Sequence, residues 1–241
     1  MPNPLGLTQF TRCLVITTVV FDLDDTLYDE VDYCRSGFAA VAKFIADLPG
    51  TPSAEHIFGC LWELFSSGRR RDTFDAALRQ LAIPSQNDLI EELVQVYRNH
   101  KPDITLPSES GAVLRKLRRQ YALALLTDGY LPAQQLKVHA LGIEQYFKRI
   151  VYTEQLGRTF WKPSPAGFLR LIEELEVKPE QMACIGDNQR KDFIAPNKFG
   201  CPTIQIIRQA RIHTARAEQP DAAAKHIIHK IGQLPSLLNE L

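Results

Sequence analysis

Three carboxylates crowd the end of an apolar stretch. In "VVFDLDDTLYDE", residues 19–30, the run stops at Asp22, and Asp24 and Asp25 follow at once. Like charges at ~4 Å repel by about 4 kcal/mol at an effective dielectric of ~20, so the cluster implies a cation. Two other apolar runs also end in polar groups. "LALLTDGY" leads into Thr127, Asp128 and Gly129, and "ACIGDNQRKD" into Asp187, with Asp192 in the next turn. Lys162, in "TFWKPSP", stands between them. Carboxylates from two strands with little basic compensation suit a hard, oxygen-liganded ion, and Mg²⁺ fits best. A hydroxyl, exposed backbone amides and one lysine can hold phosphate oxygens. Two aspartates two residues apart can divide the work of nucleophile and proton donor. The chemistry is phosphoryl transfer, where positioning and charge neutralisation provide most of the catalysis.

Such groups meet only if several strands end at one edge of a sheet. Apolar runs predict strands at 14–21, 122–126, 149–152, 182–185 and 203–207. Most are continuous rather than alternating, as expected for strands buried on both faces of a parallel sheet. Helical patterns separate them. Ser164 and Pro165 read as an N-cap and first-turn proline, with Phe168, Ile172 and Leu175 on one face beyond. The stretch 199–202 reads as a helix stop. This alternation predicts an α/β fold, a Rossmann-like doubly wound parallel sheet, whose ligands bind beyond the carboxyl ends of the strands.

One interval breaks the rhythm. Val31, Cys34, Phe38, Val41, Ile45 and Leu48 step by threes and fours along one helical face, and three similar groups follow before Pro107. Four helices inserted after the first strand predict an all-helical cap domain at 28–106, with 1–27 and 107–241 forming the core. Its position beside the acidic strand end favours a lid over a decorative bundle.

Composition narrows the partners. Lys plus Arg equals Asp plus Glu at 28 each, so no basic excess points to nucleic acid or an anionic membrane surface. The run 13–21 is shorter than the ~20 residues a bilayer requires, and it leads into carboxylates rather than a signal-peptide cleavage site. Five scattered cysteines without a CxxC pair suggest a reducing compartment, the cytoplasm.

Taken in order, "FDLDDTL", "LLTDG", "WKPSP" and "GDNQRKD", with a helical insert after the first, resemble the haloacid dehalogenase-like superfamily in its phosphatase branch. The resemblance implies that Asp22 attacks phosphorus and forms an aspartyl-phosphate. Asp24 would protonate the leaving oxygen and then activate water. Thr127 and the amides of Asp128 and Gly129 would grip the phosphoryl oxygens, and Lys162 would neutralise nucleophile and phosphate. Mg²⁺ would take the side chains of Asp22 and Asp187 and the backbone carbonyl of Asp24, with Asp192 orienting Lys162 or a metal-bound water. Asp128 departs from the small neutral residue common at its position, and its side chain is expected to turn away and cap the following helix. Pro196 falls early in the helix after Asp192, where a missing backbone donor is tolerable.

A closed cap implies a small phosphorylated metabolite: a nucleotide, a sugar phosphate or a related ester. The nearest rival reaction is hydrolytic dehalogenation, which needs neither Asp24 nor Mg²⁺. A phosphomutase would use the same groups, and a non-catalytic sensor of a phosphorylated ligand would usually have lost one of them. Arg69, Arg70 and Arg71 read as a solvated helix end, and Phe160 and Trp161 as loop packing. His226, His229 and the buried Cys184 read as structural.

Overall fold

The computed structural model describes residues 15–84, 87–214, 216 and 219–241. Six strands, Thr18–Phe21 (β1), Ala122–Thr127 (β2), Arg149–Tyr152 (β3), Met182–Gly186 (β4), Thr203–Ile206 (β5) and His226–Ile228 (β6), form one sheet. The order is β3-β2-β1-β4-β5-β6, and every pairing is parallel. β1 forms because Thr18, Val19, Val20 and Phe21 are all β-branched or aromatic, and all four are buried. Strand order changes direction between β1 and β4, so a crevice opens at the carboxyl ends there. Phe21 lies level with Leu125 on one side and Ile185 on the other, which brings the residues following three strands to one place.

Nine helices are described: Glu30–Ala46 (α1), Ala54–Ser66 (α2), Thr73–Gln80 (α3), Asn87–Asn99 (α4), Ser108–Leu117 (α5), Ala133–Leu141 (α6), Ala166–Leu175 (α7), Ile194–Lys198 (α8) and Leu234–Leu238 (α9). Alternation along β1 divides the core between the two faces of the sheet. Val19 and Phe21 pack with Leu114 and Leu117 of α5 and Val138 of α6, whereas Val20 packs with Phe168 and Leu171 of α7. Cys184 is buried on the second face, as expected.

The four helices α1–α4 follow β1 directly and have a hydrophobic cluster of their own. Phe38, Val41 and Ile45 of α1 meet Ile57, Leu61 and Phe65 of α2, Leu78 of α3 and Leu93 of α4. One member of that cluster comes from elsewhere: Ile212, in the segment after β5. Its backbone bridges the two parts of the molecule. The Ile212 N–H donates to the Asp25 carboxylate at 2.6 Å, and its carbonyl accepts from Arg70 Nη1 at 2.8 Å.

The sequence reading needs several adjustments. The first strand starts at Thr18 rather than 14, and Leu14 lies outside the described residues. β6 was not expected; it has three residues, and Ile227 at its centre is 55% exposed, so it carries little hydrophobic pattern. Helix α7 starts one residue beyond Pro165, with Ser164 Oγ still accepting from the Ala166 N–H at 3.4 Å. Pro196 is the third residue of α8, where its missing donor has no intrahelical partner to lose. Cys34, Cys60, Cys184 and Cys201 are buried and unpaired, and Cys13 lies outside the described residues. Among the described residues no helix is long and apolar enough to cross a membrane.

Candidate active site

β1 delivers Asp22 to the crevice, where Lys162 meets it. Lys162 Nζ donates to Asp22 Oδ1 at 2.6 Å, to Asp192 Oδ1 at 2.8 Å and to the Leu126 carbonyl at 3.2 Å. All three charged side chains are buried. Burial alone would lower the Lys162 ammonium, but Asp192 and Asp22 reverse that and hold it above its ordinary value. The second oxygen of Asp192 accepts from the Asn188 N–H at 2.9 Å, so both of its oxygens are occupied by protein donors. Gly186 makes this possible: a Cβ there would lie 2.5 Å from Asp192 Oδ2. Gly186→Ala is therefore expected to push Asp192 off Lys162 and to lose about 1–3 kcal/mol of stability. Urea unfolding checks this, as a lower midpoint at an unchanged slope.

Asp187 completes the acidic group. One oxygen each of Asp22, Asp187 and Asp192 lie within 4.8 Å of one another. Asp187 Oδ2 is buried with no hydrogen-bond partner. Burial, then the charges of Asp192 and Asp22, push its carboxyl up to about 9. An orphaned carboxylate oxygen facing a second carboxylate is what a hard divalent cation would satisfy, and such an ion would reverse these upward shifts. The residues present fit Mg²⁺.

Asp24 has different company. Lys137 Nζ reaches both of its oxygens, at 2.8 and 2.9 Å; Tyr28 Oη donates to Oδ1 at 2.6 Å and Gln134 Nε2 to Oδ2 at 2.9 Å. Burial would raise this carboxyl, yet Lys137, with the Tyr28 and Gln134 hydrogen bonds, holds it below the ordinary range. Gln134 also donates to Thr127 Oγ1 at 2.6 Å, tying the ends of β1 and β2 together. Gly129 follows at φ 141°, and a Cβ there would lie 2.7 Å from Gln134, so the loop passes close to this side chain. The Asp128 side chain does not cap a helix as expected. It accepts from Thr153 Oγ1 at 2.8 Å and from the Lys162 N–H at 3.1 Å, fixing the loop that presents the lysine. The third carboxylate of the opening motif is structural: Asp25 accepts from the Glu30 N–H at the start of α1 and from Ile212.

The crevice thus gathers Asp22, Asp24, Thr127, Asp128, Gly129, Lys162, Asp187 and Asp192. Sequence reasoning missed Tyr28, Gln134, Lys137 and Lys191. Lys191 Nζ lies 4.0 Å from Asp22 Oδ1. Gln134 and Lys137 are one turn apart on the same face of α6 as the buried Val138 and Leu141. Polar residues on an apolar helix face were the signal for them.

Above the crevice, between it and α1–α4, lies a cavity of about 650 Å³. Arg70 and Arg71 line it while remaining exposed, so the solvated reading of 69–71 holds, and Arg69 pairs with Asp72 at the surface. Trp161 also lines the cavity while its Nε1 bonds Glu154, and Phe160 is 46% exposed rather than packed.

The chain belongs to the haloacid dehalogenase-like hydrolase family, whose model matches residues 16–200. Among characterised relatives it is 28% identical over 240 residues to a glyceraldehyde 3-phosphate phosphatase of Methanopyrus kandleri, covering 94% of this chain and 99% of that one. A 2-haloacid dehalogenase from Pseudomonas syringae superposes with a TM-score of 0.64 at 25% identity, covering 94% and 99% of the two chains. The HAD-hydrolase YfnB from Bacillus subtilis, in a magnesium-bound crystal form, superposes with a TM-score of 0.67 at 20% identity, covering 93% and 99%.

Proposed function

We propose that the protein is a Mg²⁺-dependent phosphatase of small phosphate monoesters, working through an aspartyl-phosphate on Asp22. One observation carries the reading: Asp22 is held by Lys162 beside an Asp187 whose buried oxygen has no partner. Asp22 attacks phosphorus, a new P–O bond forms, and the ester P–O bond breaks. Asp24 gives the leaving oxygen its proton, then takes one from the water that attacks phosphorus and releases Asp22. Asp22, Asp187 and the backbone carbonyl of Asp24 would hold Mg²⁺, which would supply positive charge to offset the nucleophile and the phosphoryl oxygens. Lys162 adds a fixed cation, Asp192 positions it, and Thr127 with the amides of Asp128 and Gly129 grips the phosphoryl oxygens. In the structure Asp24 is held as a carboxylate, the form that accepts the water proton; its donor role requires the Lys137 contact to loosen as a proton arrives.

Helices α1–α4, residues 28–106, are in this reading a cap that shuts water from the cavity. The phosphatase relative supports a phosphate ester as substrate. Likeness to a dehalogenase supports only the shared aspartate chemistry, because Asp24 and Asp187 have no task in halide displacement.

A phosphomonoester panel with and without Mg²⁺ tests the reaction. Release that requires the metal supports it; no release from folded, metal-loaded protein sinks it. Mg²⁺ at a hundredfold excess over its Kd is expected to stabilise the fold by about 2.7 kcal/mol, seen as a higher Tm. Asp187→Asn is expected to lose most of that gain.

A further inference from the structure

The three consecutive arginines of the cap have unequal fates. Arg69 is committed to Asp72, with two hydrogen bonds at 2.9 and 2.6 Å. Arg70 is committed to the Ile212 carbonyl and lies 5.3 Å over the Phe65 ring. Arg71 is exposed and lines the cavity, with no ion pair, hydrogen bond or ring contact among the described residues. Among the other cations lining the cavity, Lys162 and Lys137 are paired with Asp22 and Asp24, Lys191 stands 4.0 Å from Asp22, and Arg98 lies 3.4 Å over the Tyr130 ring. Of the facing acids, Asp128 is engaged by Thr153 and by the Lys162 backbone. Glu30 is buried enough that its carboxyl is pushed up to about 8, which leaves it largely uncharged at neutral pH. Asp75 lines the same cavity one turn beyond Arg71, yet makes no ion pair with it. The remaining wall is mostly apolar, with Phe74 and Tyr97 partly exposed. A volume near 650 Å³ falls in the range that holds drug-sized ligands, well beyond what a phosphoryl group alone would need.

We propose that the cap selects a phosphate monoester with an apolar, ring-sized body that carries a second anionic group, and that Arg71 grips that group. The proposal rests on the phosphatase reading only for placing the phosphate end in the crevice. An uncommitted guanidinium beside an apolar wall binds a carboxylate or a second phosphate by charge-assisted hydrogen bonds, while the wall takes the hydrocarbon. The selection therefore has two parts, and two ligand pairs separate them.

Binding of 4-carboxyphenyl phosphate and phenyl phosphate is measured by calorimetry, with Mg²⁺ present, on Asp22→Asn protein so that neither ligand is consumed. The carboxylate is expected to tighten binding by about tenfold, and Arg71→Gln in the same background to bring the ratio close to one. Arg69→Gln, which alters the surface pair only, is expected to keep the ratio. Equal affinity for the two ligands, or a ratio untouched by Arg71→Gln, overturns the assignment of Arg71. Binding of 3-phosphoglycerate as tight as that of 4-carboxyphenyl phosphate overturns the ring-sized body. Turnover by the protein with Asp22 intact is scored separately. A carboxylate preference in binding without Mg²⁺-dependent phosphate release would keep this proposal and remove the phosphatase reading.

Discussion

Asp22→Asn is expected to abolish Mg²⁺-dependent phosphate release, by roughly 10⁵-fold or more, as losses of a covalent nucleophile do. The amide is nearly the size of the carboxylate and can still accept from Lys162, so the pocket keeps its shape. It cannot attack phosphorus. The substitution also removes one of the three carboxyl groups that converge on the crevice. Asp187 then has less repulsion to bear, and the Tm without metal is expected to stay level or rise. A dead enzyme that is no less stable separates lost chemistry from lost folding. Single-turnover assays with the best substrate of the panel make the comparison, and activity equal to the parent's would mean that another group is the nucleophile.

Lys162→Met has the second large effect, and it falls on stability. The ammonium is buried and bonds two carboxylates and one carbonyl at once. Removing it leaves Asp22, Asp192 and Asp187 as buried acids without a compensating charge within hydrogen-bond reach. Breaking a buried pair from one side costs about 3–5 kcal/mol, because the remaining charge stays out of water. Chemical unfolding in the presence of a chelator measures this. Mg²⁺ is expected to restore part of the stability by supplying charge to the same carboxylates, without restoring turnover. A loss below about 1 kcal/mol would show that the acids are neutral in the resting protein and that Lys162 has little to hold together.

Much of this was legible because the strands are buried on both faces. A continuous apolar run is hard to mistake in β1, β2 and β4, and those strands carry Asp22, Thr127 and Asp187. β6 was illegible for the opposite reason: three residues, partly solvated, are held by pairing to β5 rather than by burial of their own. Site residues that directly follow strands could be found, since chain direction alone fixes where they go. Gln134 and Lys137 reach Asp24 across 110 and 113 residues of sequence, from a helix whose place is set by packing. The charge run at 69–71 is solvated as read, but composition could not show that Arg70 and Arg71 also line the cavity, because that depends on the orientation of α2 and α3 over the sheet. Asp25 looked like a third member of the acidic centre; its role became plain only once the segment at Ile212 was placed.

That contact sets an order of events on the ribosome. Residues 25 and 212 are 187 positions apart, and Ile212, fixed to the core by Asp25, reaches the helical unit by entering its apolar cluster and accepting from Arg70. The helices emerge early and can gather their own apolar cluster long before β5 is made. Until the segment carrying Ile212 emerges, that cluster lacks one of its plugs and Arg70 lacks its acceptor, and the unit is held by its two chain crossings and by contacts such as Arg98 on Tyr130. A chain cut short before this point would keep the nucleophile motif, the three lysines of the crevice and most of the sheet. It would lose this fastening and keep only the packing of Arg98 on Tyr130 and of Lys137 on Tyr33, so the flap would sit more loosely over a centre that is otherwise complete.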